Sequence, residues 1–404
     1  MRRSLQFGAL VASALVMVSC GFNTGDAGGA SPARGTAATT AAPPAIVSPE
    51  LLDVGTYPTV PRPPLGAAGD PTAGAVADAK QMANFVVGPW DVDQSLISPY
   101  LDSFYLISNV AALLQLGPEA VAGAAGRHGL INGFASERQA PDKSAMVNAV
   151  LRFADPAAAA AASTDMGDAA TKQPIQGSTP TGAAIPGHPE AVASTYPFTP
   201  HGSDRTWATI RSFTAHGPYV LMQFVQSVDG FDPAAALVAK AIDAQGPSID
   251  QFKPADPGAL ASVPLDPTGL LAKTLPPTSA VGSAKNAVYD ARGAAHFQSD
   301  PIASTTLFKD TGVSEVAMAK TNVYQTKDAY GAVAVTDSFG QEVSAEGTKP
   351  ADPVLALPDS HCMAFPKGFY CVAAAGRYAI EARGEQLRDT QQQVAAQYVM
   401  LTAH

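Results

Sequence analysis

Charge is scarce in this chain. Only 15% of its 404 residues are charged, the balance is −10, and no Lys/Arg cluster interrupts the acidic background. With nothing to neutralise phosphates, nucleic acid is excluded as a partner, and anionic headgroups offer no attraction. Catalytic signatures are missing as well. There is no GxSxG elbow, no SxxK, no HExxH, no GxxxxGK[ST] phosphate loop and no dinucleotide GxGxxG. No CxxC pair occurs among the three cysteines, and the seven histidines are scattered. The reading therefore favours a non-enzyme and nominates no catalytic residue, no cofactor and no metal. Long apolar runs are absent too: residues 7–18 are apolar but too short to span a bilayer.

What the chain does have is an address. Arg2 and Arg3 precede the short apolar run, and Ser19-Cys20 follows it. Met17-Val18-Ser19-Cys20 resembles the lipobox of bacterial lipoproteins, with Met17 where leucine is usual. The resemblance implies a signal peptide over 1–19 and diacylglycerol on the Cys20 sulfur. The partner is then the membrane, reached through an N-terminal lipid anchor on the extracytoplasmic face. Residues 20–50 continue as a Gly/Ala/Thr/Pro-rich tether, with too little apolar surface to fold and a reach of roughly 30 Å. Cys362 and Cys371 bracket "MAFPKGFY", two short strands joined at Pro366-Lys367. That turn sets the cysteines opposite one another, which favours a disulfide over two buried thiols and suits an oxidising compartment.

The hydrophobic content of 46% is enough for real cores, and the length allows two or three domains. A strand-helix-strand-strand-helix pattern occurs twice. The first copy runs from "SAMVNAVLRF" through a helix opened by Asp155-Pro156. It continues with two strands meeting at His216-Gly217-Pro218 and ends in a helix opened by Asp232-Pro233. The second copy runs from "SEVAMAKTNVYQ" through "HCMAFPKGFYCVAAAGRYAIEARG", read as a hairpin, to a closing helix with Leu387, Val394, Tyr398 and Leu401 on one face. Matching the copies equates Tyr219 with Tyr370 and places an insert over residues 173–205 of the first. The expectation is α+β: two similar domains, each an antiparallel or mixed sheet with helices packed on one face, in a duplicated β-α-β-β-α pattern. The first domain occupies 51–252, a Pro-rich linker 253–269 and the second domain 270–404.

The lipobox, the tether, "GTYPTVPRP", "AKQMANFVVGPWDVD", "IPGHPEA" and "HFQSDPIASTTLFKDTGV" together resemble a family of actinobacterial cell-envelope lipoproteins of the mycobacterial and nocardial type. That family is catalogued as a domain of unknown function. The resemblance implies an envelope location and carries over no activity.

Three places hold candidate chemistry. His188, Glu190, His201 and Asp204 are suitable zinc ligands, and an envelope hydrolase or metal-dependent enzyme using this insert is the alternative function. Their spacing fits no metal motif, and the adjoining prolines explain a stiff loop without an ion. The paired acids of "WDVD", residues 90–93, read as a turn or a helix cap before they read as a cation site. Segment 96–116 is the most apolar of the mature chain, read as a core helix or buried loop, or else as an apolar wall for a ligand. The leading reading is a membrane-anchored protein whose two domains bind an apolar envelope ligand or another envelope protein.

Overall fold

The computed structural model describes residues 47–175, 177–277 and 284–402. The leader, Cys20 and nearly all of the tether lie outside the described residues.

Helix α1 (Pro71–Met82) starts where Asp70 accepts hydrogen bonds from the Thr72 and Ala73 amides, with Pro71 in the first helical position. Ala79 and Met82 of α1, and Ala83 and Val86 just beyond it, are fully buried. A short α2 (Pro89–Val92), β1 (Ser98–Ile107), α3 (Val110–Leu113) and α4 (Glu119–Arg127) lead to β2 (Asn132–Ala140) and β3 (Ser144–Arg152). Asp155 caps α5 (Pro156–Lys172) through the Ala158 amide. Then come β4 (Thr181–Ile185), β5 (His188–Phe198), β6 (Trp207–His216), β7 (Tyr219–Ser227) and α6 (Phe231–Ile249). Asp232 does not cap α6. The chain enters at Gly230, whose φ of 101° only glycine adopts easily, and Asp232 lies in the first turn.

The second half contains β8 (Ala287–Asp290), α7 (Ala291–Ala295), α8 (Pro301–Thr311), β9 (Glu315–Met318), β10 (Thr321–Gln325), α9 (Ala329–Ala345), β11 (Lys349–Ala351), β12 (His361–Phe365), β13 (Gly368–Ala375), β14 (Tyr378–Gly384) and α10 (Leu387–Thr402). Asp300 and Asp328 cap α8 and α9, and Gly312 ends α8 in the left-handed region.

Among the described residues the strands form two seven-stranded antiparallel sheets, ordered β1-β2-β3-β7-β6-β5-β4 and β8-β9-β10-β14-β13-β12-β11. Position by position these are one topology written twice, so the α+β class and the two-domain division hold. The internal match is one strand out, however. "HCMAFPKGFYCVAAAGRYAIEARG" contains three strands, not one hairpin, and the turn equivalent to Gly217 is Gly376 between β13 and β14. Tyr219, first residue of β7, therefore matches Tyr378, first residue of β14. Tyr370 belongs to β13.

Helices cover both faces of each sheet, not one. On β3, Met146 and Val150 belong to the same apolar cluster as Val238 of α6, while Val147 and Leu151 belong to that of Met166 of α5. On β13, Val372 faces Val335 and Phe339 of α9, while Cys371 and Ala373 face Val394 and Tyr398 of α10. The near-continuous apolar run of β3 is what two-sided burial requires, and all nine of its residues are buried. Cys362 and Cys371 are direct partners across β12 and β13, joined by a disulfide with Cα atoms 4.2 Å apart.

Segment 96–116 is neither core helix nor buried loop. Nearly half of it is β1, an edge strand against β2, followed by the one-turn α3. An edge tolerates Pro99, and Leu101 is exposed there.

The chain ahead of α1 also departs from the expected division, because residues 47–62 pack on the second domain. Leu52 lies in the cluster of Val394 and Tyr398. The Val47 amide donates to the Tyr398 hydroxyl at 3.0 Å, the Tyr57 hydroxyl donates to Asp389 at 2.7 Å, and Arg62 donates to the Leu271 carbonyl at 2.6 Å. The linker is equally well held. Asp78 of α1 and Arg152 of β3 form a buried ion pair at 2.6 Å. Asp78 also accepts from the Ala255 amide at 3.1 Å, and Arg152 donates to the Ala255 carbonyl.

Candidate functional site

The two halves share one core, and its pin is the pair His296-Phe297. Phe297 packs edge to face with Phe104 of β1 at 4.5 Å between ring centroids and tilted against Tyr289 of β8 at 4.7 Å. His296, fully buried, lies 5.3 Å from the Trp90 ring and 5.2 Å from the Phe134 ring. Its Nε2 is 3.1 Å from the Ala83 carbonyl and its Nδ1 is 2.9 Å from the Ser136 hydroxyl. A carbonyl only accepts, so Nε2 carries the proton and neutral Nδ1 accepts from Ser136. Burial holds this imidazole down to about 3.

Arg138 of β2 reinforces the joint. Its Nη2 donates to the carbonyls of His296 and Gln298, both at 2.9 Å, and its guanidinium lies 5.6 Å from the Trp90 ring. Two segments quoted for the family resemblance, "AKQMANFVVGPWDVD" and "HFQSDP", thus meet at the domain boundary.

Beside this joint lies a cleft of about 540 Å³. Its floor is the part of the second sheet that α9 leaves open: Asn322 and Tyr324 of β10, Tyr370 of β13, Glu381 and Arg383 of β14. Its walls are Phe104 and Arg138 of the first domain, the 296–299 loop, and Glu342 of α9. Strand register explains the floor. Asn322 is the cross-strand partner of Glu381, and Tyr370 of Arg383, so alternate residues send polar groups to one face. Glu381 Oε2 accepts from Asn322 Nδ2 and from the Tyr324 hydroxyl, both at 2.8 Å, and Oε1 lies 3.5 Å from Arg383. Arg383 in turn covers the Tyr370 ring at 5.1 Å. Burial, with Glu381 adding to it, pushes the Tyr324 and Tyr370 hydroxyls well above the usual phenol range, and burial pushes Glu342 up. A shallower hollow of about 720 Å³ beside Lys367 shares Lys320 and Arg383, and an apolar groove of about 380 Å³ lies between α1 and the linker. Of these, the 540 Å³ cleft alone brings buried titratable groups of both halves to one space.

The β1 wall is a bulge. Pairing with β2 slips between Pro99 and Phe104, leaving residues 100–103 opposite Glu137, with Leu101 and Ser103 at φ of 48° and 72°. Glu137 Oε2 accepts from the Asp102 amide at 3.2 Å, and Oε1 is buried with no partner. Burial pushes Glu137 up to about 7. An acid whose folded value is raised adds stability as pH falls from about 7 toward its unfolded value. We therefore expect the stability difference between the wild type and Glu137→Gln to move in favour of the wild type by about 2–3 kcal/mol from pH 8 to pH 5. Urea unfolding at both pH values measures this, and parallel pH profiles would refute the buried carboxylate.

The residues singled out from the sequence fare unequally. His188 opens β5 and pairs with Glu190 at 3.1 Å and Asp243 at 3.2 Å. His201 and Asp204 lie on the loop beyond the other end of β5, so the four do not converge. Among the described residues no His/Cys/Asp/Glu group is arranged to hold a metal ion, and the metal-enzyme alternative loses its nominee. In "WDVD", Asp91 Oδ2 accepts from the Gly88 amide and Asp93 accepts from Ser95, the capping and turn roles expected of them. Segment 96–116 does contribute to the cleft, through Pro99, Asp102, Ser103 and Phe104, as a mixed rather than apolar wall. Arg138, Lys320, Tyr324 and Glu381 were not anticipated. Their signal was adjacent charge inside a buried strand, as in Glu137-Arg138, and polar residues at alternate positions, as in Glu381 and Arg383.

Among solved structures, the extracellular domain of PknH from Mycobacterium tuberculosis is similar at 12% identity and a TM-score of 0.29, over 42% of this chain and 94% of that one. No curated protein matches the chain. Family models do. One described as the N-terminal part of a domain of unknown function, DUF7373, matches residues 65–265, and its C-terminal counterpart matches residues 270–404.

Proposed function

The chain belongs to the two-part DUF7373 family, and from that premise we propose that it is a lipoprotein of the actinobacterial envelope, held on the extracytoplasmic face by lipid on Cys20, that binds an envelope ligand in the cleft between its domains. The cleft carries the binding half of this reading, because two copies of one topology meet there around fixed, buried polar groups. The Met17–Cys20 sequence supports the anchoring half, and the disulfide between Cys362 and Cys371 suits an oxidising compartment. Among the described residues no helix is long and apolar enough to cross a membrane.

Cys20→Ala tests the address. The variant is expected to fold with an unchanged melting temperature, to incorporate no labelled fatty acid, and to move from the membrane to the soluble fraction. Retention of the variant in washed membranes would show that something other than Cys20 lipid holds the chain.

A further inference from the structure

The cleft is unevenly charged. It contains four carboxylates, yet the two at its depth are engaged or subdued. Glu381 receives Asn322, Tyr324 and Arg383, and burial favours the neutral form of Glu342. The other two, Asp102 and Glu346, are exposed. The cations differ. Among the described residues no carboxylate stands within ion-pair distance of Arg138 or Lys320. Arg138 is 1% exposed, its Nε is buried without a partner, and two carbonyls and the Trp90 face hold its plane. The nearest acid in sequence, Glu137, lies on the opposite face of β2 and takes its hydrogen bond from the β1 bulge. A guanidinium fixed in this way, lining a cleft with Lys320, is preorganised for an anion. Half-buried Phe104 and Phe297 line the same cleft as an aromatic pair packed edge to face, and Asn322 and Glu381 offer polar groups that match hydroxyls.

We propose that the cleft binds a hydroxylated ring carrying one anionic substituent, with the anion on Arg138 and Lys320, the ring against Phe104 and Phe297, and ring hydroxyls on Asn322 and Glu381. This deepens the cleft-binding reading and rests on it. Such a group occurs free, as a sugar phosphate or uronate, or as the headgroup of a lipid.

Trp90, packed against Arg138, supplies the readout, and Trp207→Phe leaves it the chain's sole tryptophan. The full-length protein in this background is titrated with glucose 1-phosphate, glucuronate, glucose, inorganic phosphate, and vesicles of phosphatidylinositol or phosphatidylcholine. Glucose 1-phosphate or glucuronate is expected to shift Trp90 emission with a Kd below about 1 mM, and glucose and phosphate alone to bind at least about tenfold more weakly. Arg138→Lys and Lys320→Ala are each expected to weaken binding about tenfold. Lys320 is only half-buried, so its variant keeps the test intact if Arg138→Lys fails to fold. A response to phosphatidylinositol vesicles without one to the free sugars assigns the group to a lipid. Glucose binding as tightly as glucose 1-phosphate, or no response to any anionic ring at about 10 mM, overturns the proposal. Nile red and an unrelated peptide library separate the two readings. If either binds in a Lys320-dependent way, the cleft stands and only the ligand class falls. If nothing binds, both fall.

Discussion

Arg152→Met is expected to lower the unfolding free energy by about 3–5 kcal/mol, because it leaves the Asp78 carboxylate buried without its cation. Both side chains are almost wholly enclosed, at 3% and 2% exposure. After the substitution Asp78 keeps only the Asn132 amide at 2.9 Å and the Ala255 amide at 3.1 Å. The effect reaches beyond the pair, since Arg152 also holds the Ala255 carbonyl at the start of the linker. Replacing both partners, as Asp78→Leu with Arg152→Met, removes the orphaned charge and should recover most of the loss. Urea unfolding of the wild type and the two variants decides the matter. A double variant no more stable than Arg152→Met would mean that the pair contributes by packing and not by charge compensation.

The second large effect is acid sensitivity at the domain joint. His296 titrates near 3 in the fold, held down chiefly by burial, with the Arg138 and Arg292 charges adding to it and the Ala83 carbonyl opposing. Unfolded, the imidazole takes up a proton near 6.5. A histidine depressed in the fold supplies stability above its unfolded value and loses it as pH falls toward the folded one. The loss should come to about 2–3 kcal/mol at pH 4.5 and about 4 kcal/mol at pH 3. Glu137 works in the opposite direction between about 7 and 4.5, so the comparison must be with a variant that removes the imidazole alone. His296→Gln should be less stable at pH 7.5 and should show a flatter fall from pH 6.5 to 4.5. An unchanged slope in that variant would place the acid-labile group elsewhere.

Legibility from the sequence varied with the range of the interaction that decides each feature. Local chemistry was largely readable: Asp155-Pro156 opens a helix and a two-residue turn sets Cys362 opposite Cys371, although Asp232-Pro233 falls inside the first turn of its helix instead of capping it. Duplication was readable as a rhythm but slipped by a strand, because Pro366-Lys367-Gly368 and Ala375-Gly376-Arg377 are both good turns and only pairing with β10 tells which is equivalent to Gly217. The second helix layer was missed because two-sided burial depends on partners far along the chain. A groove between two domains was expected, but its lining residues were missed for a related reason. Arg138 and Glu381 are ordinary charged residues until β2 and β14 bring them to the two sides of one space. The His188–Asp204 cluster shows the converse error: residues close in sequence become distant when an eleven-residue strand runs between them.

The stretch at 47–62 has a consequence for how the protein is made. Val47 and Tyr398 are 351 residues apart in sequence, and Asp53 and Tyr57 close onto Arg388 and Asp389 over similar spans. Translation delivers residues 47–62 long before α10, so this stretch lacks much of its binding surface until that helix is synthesised. Until then Leu52 lacks Val394 and Tyr398 of its cluster, and the face of β13 carrying Cys371 and Ala373 lacks α10. The contacts of this stretch are therefore closed late, over long sequence separations, once α10 is available.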